Sequence, residues 1–549
     1  MHNIAHLLRS QASIQPRHPA VVFPAGRSND GGRRHIAWRH LTFGELEEQS
    51  DRLAWGLREY GFRPGTTALL MIRPTLDFYA LVFAVLKAGA VPVLIDPGMG
   101  WKGFLRCVKQ VSPEAFIGIP AAHALRLCCR SAFRSIRLSV TMGSWRLWGG
   151  RTIPELLEHT CSKPFPIYEP QQPDELAAVL FTSGSTGPAK GVCYSHAIFA
   201  AQCRIVQQLC QIRPGEFDLA CFPLFSLFSL ANGATAVIPQ MDAAAPASIN
   251  PECVREALRQ WPVSYSFGSP ALWKHVADYC VKRDLPLEGL KRVFMSGAPV
   301  PKSTHAALRS LLDADAATYA PYGCTEALPI AVLDGATILD PAQQAEGVGK
   351  GTCVGRIIPE ITAVVIPVTD APLENADPAA MALPQGQIGE LCVCGQCVTS
   401  HYYHRPDADR AAKIHSADGR LWHRVGDVGY FDAQNRFWFC GRKNHRVELP
   451  DGGTLFSIPA ESYFNAMPGV ARSALVGIGE GTRRHAAIVI EPQMGAHPSP
   501  QELLRQAAAV PALAAVKKVL IHSSPFPVDV RHNAKINREE LARWASRQA

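Results

Sequence analysis

The residue types that could do chemistry concentrate first at Thr182-Ser183-Gly184-Ser185-Thr186-Gly187-Pro188-Ala189-Lys190-Gly191. Its glycines let the backbone bend tightly and turn N–H groups toward an anion. The serines and threonines add neutral donors, and Lys190 adds a mobile positive charge. Together these groups make a cradle for phosphate. The pattern is not the G-x-x-x-x-G-K-[ST] loop of kinases and GTPases, because Gly191 follows the lysine. A Ser/Thr/Gly-rich run is often only a surface loop. The lysine inside it argues for the cradle. So does the apolar run before it, Leu176 to Phe181, which reads as a buried strand.

Further groups of the same kind lie downstream, in Tyr322-Gly323-Cys324-Thr325-Glu326, Gly426-Asp427-Val428-Gly429-Tyr430, Gly441-Arg442 and Asn533-Ala534-Lys535-Ile536. Taken singly, each has an ordinary explanation: a lone lysine is usually solvated, and an aspartate often makes a turn. Taken in order, they resemble the adenylate-forming enzymes, which include acyl-CoA synthetases, peptide-synthetase adenylation domains and luciferases. That resemblance implies activation of a carboxylate by ATP, with magnesium, to an acyl adenylate and pyrophosphate.

The resemblance also implies roles. Thr182, Ser183, Gly184, Ser185, Thr186, Gly187 and Lys190 would cradle the phosphates, with Thr186 and Glu326 on magnesium; carboxylate oxygen suits a hard cation. Thr325 would sit by the α-phosphate. Ser296, Gly297, Ala298, Pro299, Tyr322 and Gly323 would flank the nucleotide, Tyr322 near the adenine. Asp427 would accept from both ribose hydroxyls, and Arg442 would reach ribose or phosphate with its fork of donors. Lys535 would be the catalytic lysine, lowering the repulsion between an attacking carboxylate and an anionic phosphate. In the N-terminal third, Leu41-Thr42-Phe43-Gly44-Glu45-Leu46 and the run Leu86-Lys87-Ala88-Gly89 through Asp96-Pro97 also resemble family motifs.

The elements that must position these groups follow from periodicity. Leu46 to Tyr60 reads as an amphipathic helix, Thr67 to Ile72 as a strand, and Thr75 to Lys87 as a helix with Thr75 at its N-cap. This alternation, from about residue 40 to 330, predicts parallel-rich sheets flanked by helices. From about 345 to 440, strand-like runs (Ile361 to Ile366, Ile388 to Cys394, Phe437 to Cys440) between Pro/Gly/Asp turns predict a β-rich subdomain. Residues 368 to 387 read as a surface loop. The expected fold is α/β: a large N-terminal domain, 1–442, and a small α+β C-terminal domain, 443–549, which the resemblance implies is a mobile lid hinged near Lys443-Asn444.

Composition bounds the rest. The 549 residues, 47% hydrophobic and 19% charged, describe a globular protein with large cores. A net charge of +8 without a Lys/Arg tract gives no sign of a nucleic-acid partner. The most apolar stretch, Phe78 to Ile95, contains Lys87, Gly89 and Pro92, so it reads as core rather than a membrane span, although a basic surface leaves room for peripheral membrane contact. Cys392, Cys394 and Cys397 are the closest approach to a metal pattern, but the alternation of Ile388 to Val393 reads as a strand rather than a zinc site. A cytoplasmic protein with reduced thiols is expected.

Several positions depart from the acyl-CoA synthetases that the chain otherwise resembles. Their G-R-x-D hinge is Gly441-Arg442-Lys443-Asn444 here. Glu448 takes the place of a lysine that helps shape their pantetheine tunnel, and Leu449-Pro450-Asp451-Gly452-Gly453 adds length. Ser226 replaces a frequent histidine in Pro223-Leu224-Phe225-Ser226. The ending Asp529-Val530-Arg531-His532-Asn533-Ala534-Lys535-Ile536 is similar to that of the β-lactone synthetases of bacterial long-chain olefin biosynthesis. Membership in that branch implies a 2-alkyl-3-hydroxy long-chain acid as substrate. Its own β-hydroxyl would displace AMP to give a β-lactone, beside a β-ketoacid reductase and a β-lactone decarboxylase. Phe225, Ser226, Phe228 and Gly268 are the candidate acyl pocket, with ordinary core packing as the alternative. A long-chain acyl-CoA synthetase, an acyl-AMP ligase and a non-catalytic ATP-binding scaffold remain the competing functions.

Overall fold

Thr42 and Glu45 start the first long helix with a reciprocal cap. The Thr42 hydroxyl accepts from the Glu45 N–H at 3.2 Å, and the Glu45 carboxylate accepts from the Thr42 N–H at 2.8 Å. The helix therefore runs Phe43–Tyr60, a turn earlier than its apolar periodicity indicates, and ends at Gly61 with φ of 118°. The second helix, Leu76–Lys87, has Thr75 at its N-cap position. The Thr75 side chain makes no cap bond; its carbonyl accepts from Phe78 instead.

These elements come from a computed structural model. It describes residues 3–548 except 31–32, 146, 159–160, 162, 183–188, 244, 343–348, 480–484 and 529–535. The chain divides into two compact units. The first comprises residues 1–319, 323–329 and 396–409; the second comprises 320–322, 330–395 and 410–549.

Two parallel-rich sheets build the first unit. One is ordered Arg151–Thr152, Leu138–Thr141, Ala115–Gly118, Thr67–Met71, Val91–Ile95, Leu176–Thr182, Lys190–Ser195, and only its last strand is antiparallel. In the other, residues 317–319 are followed by Arg292–Met295, Val263–Gly268, Phe217–Ala220, Thr235–Val237 and Pro19–Asp30, all parallel, with Arg33–Thr42 antiparallel at the edge. The helix Leu76–Lys87 is buried from Phe78 onward. Its last residue explains how a lysine can end a core helix. Lys87 is wholly buried, with its ammonium 2.6 Å from Asp51, 2.8 Å from Glu47 and 2.7 Å from the Ser50 hydroxyl. Arg9 closes the cluster on both carboxylates. Removing one partner from such a cluster typically costs about 3–5 kcal/mol.

The second unit holds the β-rich region. Strands Ile361–Ile366, Gly389–Gly395, Leu421–Phe431, Arg436–Arg442 and Thr352–Ile357 are antiparallel neighbours, with residues 331–332 paired beside the last. Residues 368–387 form no helix or strand. Beyond residue 442, a three-stranded sheet of Val470–Ile478, His485–Pro492 and Val516–Ile521 packs with helices Ser457–Asn465, Pro500–Ala508 and Arg538–Gln548 around its own apolar core. This is the expected α+β segment. Among the described residues no helix is long and apolar enough to cross a membrane.

Candidate active site

Two strands flank the candidate phosphate-binding sequence. Strand Leu176–Thr182 pairs antiparallel with Lys190–Ser195, Thr182 opposite Lys190. Ser183, Gly184, Ser185, Thr186 and Gly187 lie outside the described residues, as does the side chain of Thr182. Lys190 is placed at the start of the return strand. Its ammonium lies 4.9 Å from the ring centroid of Tyr402, within cation–π range.

Thr325 and Glu326 form a partly exposed turn between strands Ala317–Cys324 and Ala327–Asp334. Tyrosines hold this turn. The Tyr194 hydroxyl donates to the Thr325 carbonyl at 2.5 Å. The Tyr402 hydroxyl donates to Glu326 Oε1 at 2.6 Å, and the Thr399 N–H donates to the Glu326 carbonyl at 2.8 Å. Burial, then the Glu326 charge, pushes the Tyr402 phenol well above its usual range, so it stays a donor. The oxygen chemistry of this turn fits a hard cation: a carboxylate ligand whose orientation is set by a second-layer hydroxyl.

Ser296, Gly297, Ala298 and Pro299 form a turn at the carboxyl end of strand Arg292–Met295, where Gly297 has φ of 96° and the Ser296 N–H donates to the Gly268 carbonyl at 3.2 Å. The carboxyl ends of parallel strands are the usual ligand edge of such sheets.

In the second unit, Tyr322, Asp427 and Arg442 come together. Asp427 and Arg442 are opposite residues on adjacent antiparallel strands. Arg442 Nη1 donates to Asp427 Oδ1 at 2.5 Å, and the Tyr322 hydroxyl donates to Oδ2 at 2.5 Å. Gly441 is needed before the arginine: its φ is 130°, and a Cβ there would meet Ser457 Oγ at 2.3 Å. Lys535 lies outside the described residues. The chain just after it is tied down: Ile536 bridges to Val528, and Arg538 pairs with buried Glu461 at 2.7 Å. Just after Arg442, Lys443 contacts Glu390 at 3.2 Å, and Arg446 binds Asp370 and Glu448. Glu448 and Thr454 are opposite each other in a short ribbon that the extra residues 449–453 close.

The candidate acyl residues divide. Phe225 and Phe228 are half-buried in an aromatic row: Phe225 sits 5.7 Å from Phe228 and 5.6 Å from Phe267, which stacks on Phe294. Ser226 points elsewhere. It is fully buried and donates to the Pro223 carbonyl at 2.6 Å, with the Tyr79 hydroxyl at 2.8 Å. Gly268 does allow a close approach, but to protein rather than to open space. A Cβ there would meet the Trp273 indole nitrogen at 2.7 Å. The expected room for an alkyl chain on that side is filled by Trp273.

Tyr402, Tyr194 and Asp409, whose carboxylate accepts from the Tyr402 N–H at 2.7 Å, escape a motif reading. Tyr402 and Glu326 are 76 residues apart, and no local spacing connects them.

The fold is that of the adenylate-forming enzymes. The amide bond synthetase McbA of Marinactinospora thermotolerans superposes with a TM-score of 0.76 at 22% identity, covering 98% of this chain and 99% of that one. ATP-bound MatB of Rhodopseudomonas palustris gives 0.74 at 18% identity, covering 99% of each. The chain belongs to the AMP-binding enzyme family, whose pattern matches residues 8–403. It is 43% identical to the olefin beta-lactone synthetase of Stenotrophomonas maltophilia over 99% of this chain and 98% of that protein. It is 40% identical to the protein of the same name in Xanthomonas campestris pv. campestris, over 100% and 98%.

Proposed function

We propose that this protein activates a 2-alkyl-3-hydroxy long-chain fatty acid with ATP and closes it to a β-lactone, releasing pyrophosphate and then AMP. The observation that carries this reading is the end-to-end similarity, at 43% and 40% identity, to two proteins named olefin beta-lactone synthetase.

The residues support each step. A carboxylate oxygen attacks the α-phosphorus and pyrophosphate leaves. Two negative centres must approach, so positive charge and fixed donors dominate the barrier. Lys190 and the hydroxyls of the loop at 182–187 hold the departing pyrophosphate. Glu326 and Thr186 would hold Mg2+, which supplies charge neutralisation at the phosphates when bound. Asp427, with both oxygens already facing donors, accepts from the ribose hydroxyls; Arg442 and Tyr322 keep it aimed. Lys535 stabilises the charge that spreads over the transition state.

In the second step the substrate's β-hydroxyl oxygen attacks the activated carbonyl carbon. The hydroxyl proton leaves, and AMP departs with one former carboxylate oxygen. No external thiol enters. Glu448 fits this chemistry, because a carboxylate paired with Arg446 stands where the acyl-CoA synthetases keep a tunnel lysine. The aromatic row around Phe225 and Phe228 supplies apolar lining and helps exclude water, which would hydrolyse the adenylate. All 16 cysteines are free thiols, which suits a reducing, cytoplasmic setting. A β-ketoacid reductase supplying the β-hydroxy acid and a β-lactone decarboxylase consuming the product are the partners this chemistry requires.

The test is to incubate the protein with ATP, Mg2+ and a 2-alkyl-3-hydroxy fatty acid, with and without CoA. The expected product has lost one water and is indifferent to CoA. An acyl-CoA in its place would move the protein to the acyl-CoA synthetases.

A further inference from the structure

The segment 398–409 passes beside two candidate groups of the first unit. Val398 bridges to Ala327, and the Thr399 N–H donates to the Glu326 carbonyl at 2.8 Å. Three residues on, the segment joins the strand that carries Lys190: the Cys193 N–H donates to the His401 carbonyl at 3.2 Å, and the Tyr403 N–H to the Gly191 carbonyl at 2.7 Å. Between these attachments stands Tyr402, 3% exposed. Its N–H is pinned by Asp409, its ring faces the Lys190 ammonium at 4.9 Å, and its hydroxyl bonds Glu326 Oε1 at 2.6 Å.

We infer that Tyr402 is a positioning residue, whose hydroxyl fixes the rotamer of the Glu326 carboxylate for a divalent cation while its ring holds Lys190 in line on the phosphate side. The inference rests on the proposed cation role of Glu326. The physical reason is entropic and geometric. A glutamate on a turn has three soft torsions, and a cation needs one oxygen in one place. A short hydrogen bond to one carboxylate oxygen removes most of that freedom. The Asp409 anchor and the two backbone attachments keep the tyrosine from following the glutamate. Groups that orient a metal ligand in this way typically change metal affinity about 10- to 100-fold when removed.

The test uses the full chain and Mn2+ as the probe. Bound Mn2+ is counted by electron paramagnetic resonance with a non-hydrolysable ATP analogue, after subtracting binding to the analogue alone. Tyr402→Phe keeps the ring and removes the hydroxyl. Its Mn2+ affinity should fall about 10-fold, with analogue affinity at saturating Mn2+ and the unfolding midpoint close to wild type. In ATP–pyrophosphate exchange the same variant should need more Mg2+ for half-maximal rate, and saturating Mg2+ should recover most of that rate. Glu326→Gln should lose more Mn2+ affinity than Tyr402→Phe. The double variant should lose no more than Glu326→Gln alone, because Tyr402 acts through that carboxylate. If Tyr402→Phe does not fold, Asp409→Asn, which loosens the tyrosine's anchor, should give the same shift in smaller measure. Wild-type Mn2+ affinity in Tyr402→Phe together with a loss in Glu326→Gln would overturn the positioning role and leave the cation role intact. Additive losses in the double variant would overturn it as well. Wild-type affinity in both single variants would remove Glu326 from the cation site, and the inference with it.

Discussion

Two carboxylates, Asp427 and Glu326, carry the nucleotide chemistry proposed here, and they are held in different ways. Asp427 stands in a strand opposite Arg442, so backbone register supplies the partner of one oxygen, and the Tyr322 hydroxyl takes the other. Glu326 stands on a turn, and its aim depends on a tyrosine 76 residues away in sequence. A register pair is rigid and reads locally. A side chain fixed by a distant hydroxyl reads only in three dimensions.

The largest expected effect breaks neither arrangement and calibrates both. Lys535→Ala should lower kcat for pyrophosphate release by roughly 10²–10³, the usual cost of losing a donor aimed at developing charge. ATP affinity should hold, measured by direct titration, and so should the unfolding midpoint. A wild-type rate would assign the task to another cation.

The comparison itself is broken by splitting kcat from KM. Asp427→Ala should mainly raise the KM for ATP, by about 10- to 100-fold, since hydrogen bonds to a charged group are worth roughly 1.5–3 kcal/mol. Glu326→Ala should mainly lower kcat. Steady-state pyrophosphate release over ATP and Mg2+ concentrations checks both. If the two variants show the same pattern, the carboxylates do not divide the labour as described.

The smallest effect concerns a third carboxylate that no step uses. Asp218 is fully buried beneath the Cys221 to Leu230 run, where Ser229 Oγ donates to Oδ2 at 2.7 Å. Burial pushes its carboxyl up to about 7. The unfolded chain releases that proton near 3.9, so between about pH 4 and 7 the folded state binds it more tightly. This carboxyl therefore withdraws stability as pH rises through that window. Asp218→Asn should flatten the decline of the first unfolding midpoint from pH 4 to 7, followed by calorimetry. An unchanged slope would mean that Asp218 is already ionised when folded.

Much of this was legible in the sequence because it is local. Leu176 to Phe181 is a strand that ends at the loop, and Ile361–Ile366 is a strand as its alternation predicts. The ordered motifs pick out the partners Tyr322, Asp427 and Arg442. What the periodicity did not show depends on particular side-chain contacts, some between near neighbours and some between distant segments. The cap at Thr42 moves a helix start, and Lys87 ends a core helix only because Glu47 and Asp51 wait for it. Gly268 signals close approach, and the sequence cannot say that Trp273 is what approaches. Tyr402 lies in none of the motifs quoted above, and its meaning comes from what it touches.

The most direct test of the central claim follows oxygen atoms. A 2-alkyl-3-hydroxy acid labelled with ¹⁸O in both carboxylate positions is turned over with unlabelled ATP, and a second sample carries ¹⁸O only in the 3-hydroxyl. The account predicts that AMP from the first sample gains one ¹⁸O in its phosphate and that the lactone keeps the other. It predicts that the lactone from the second sample retains its single ¹⁸O and that its AMP is unlabelled. Label from the hydroxyl appearing in AMP would contradict the account, because the hydroxyl rather than the carboxylate would then have been activated.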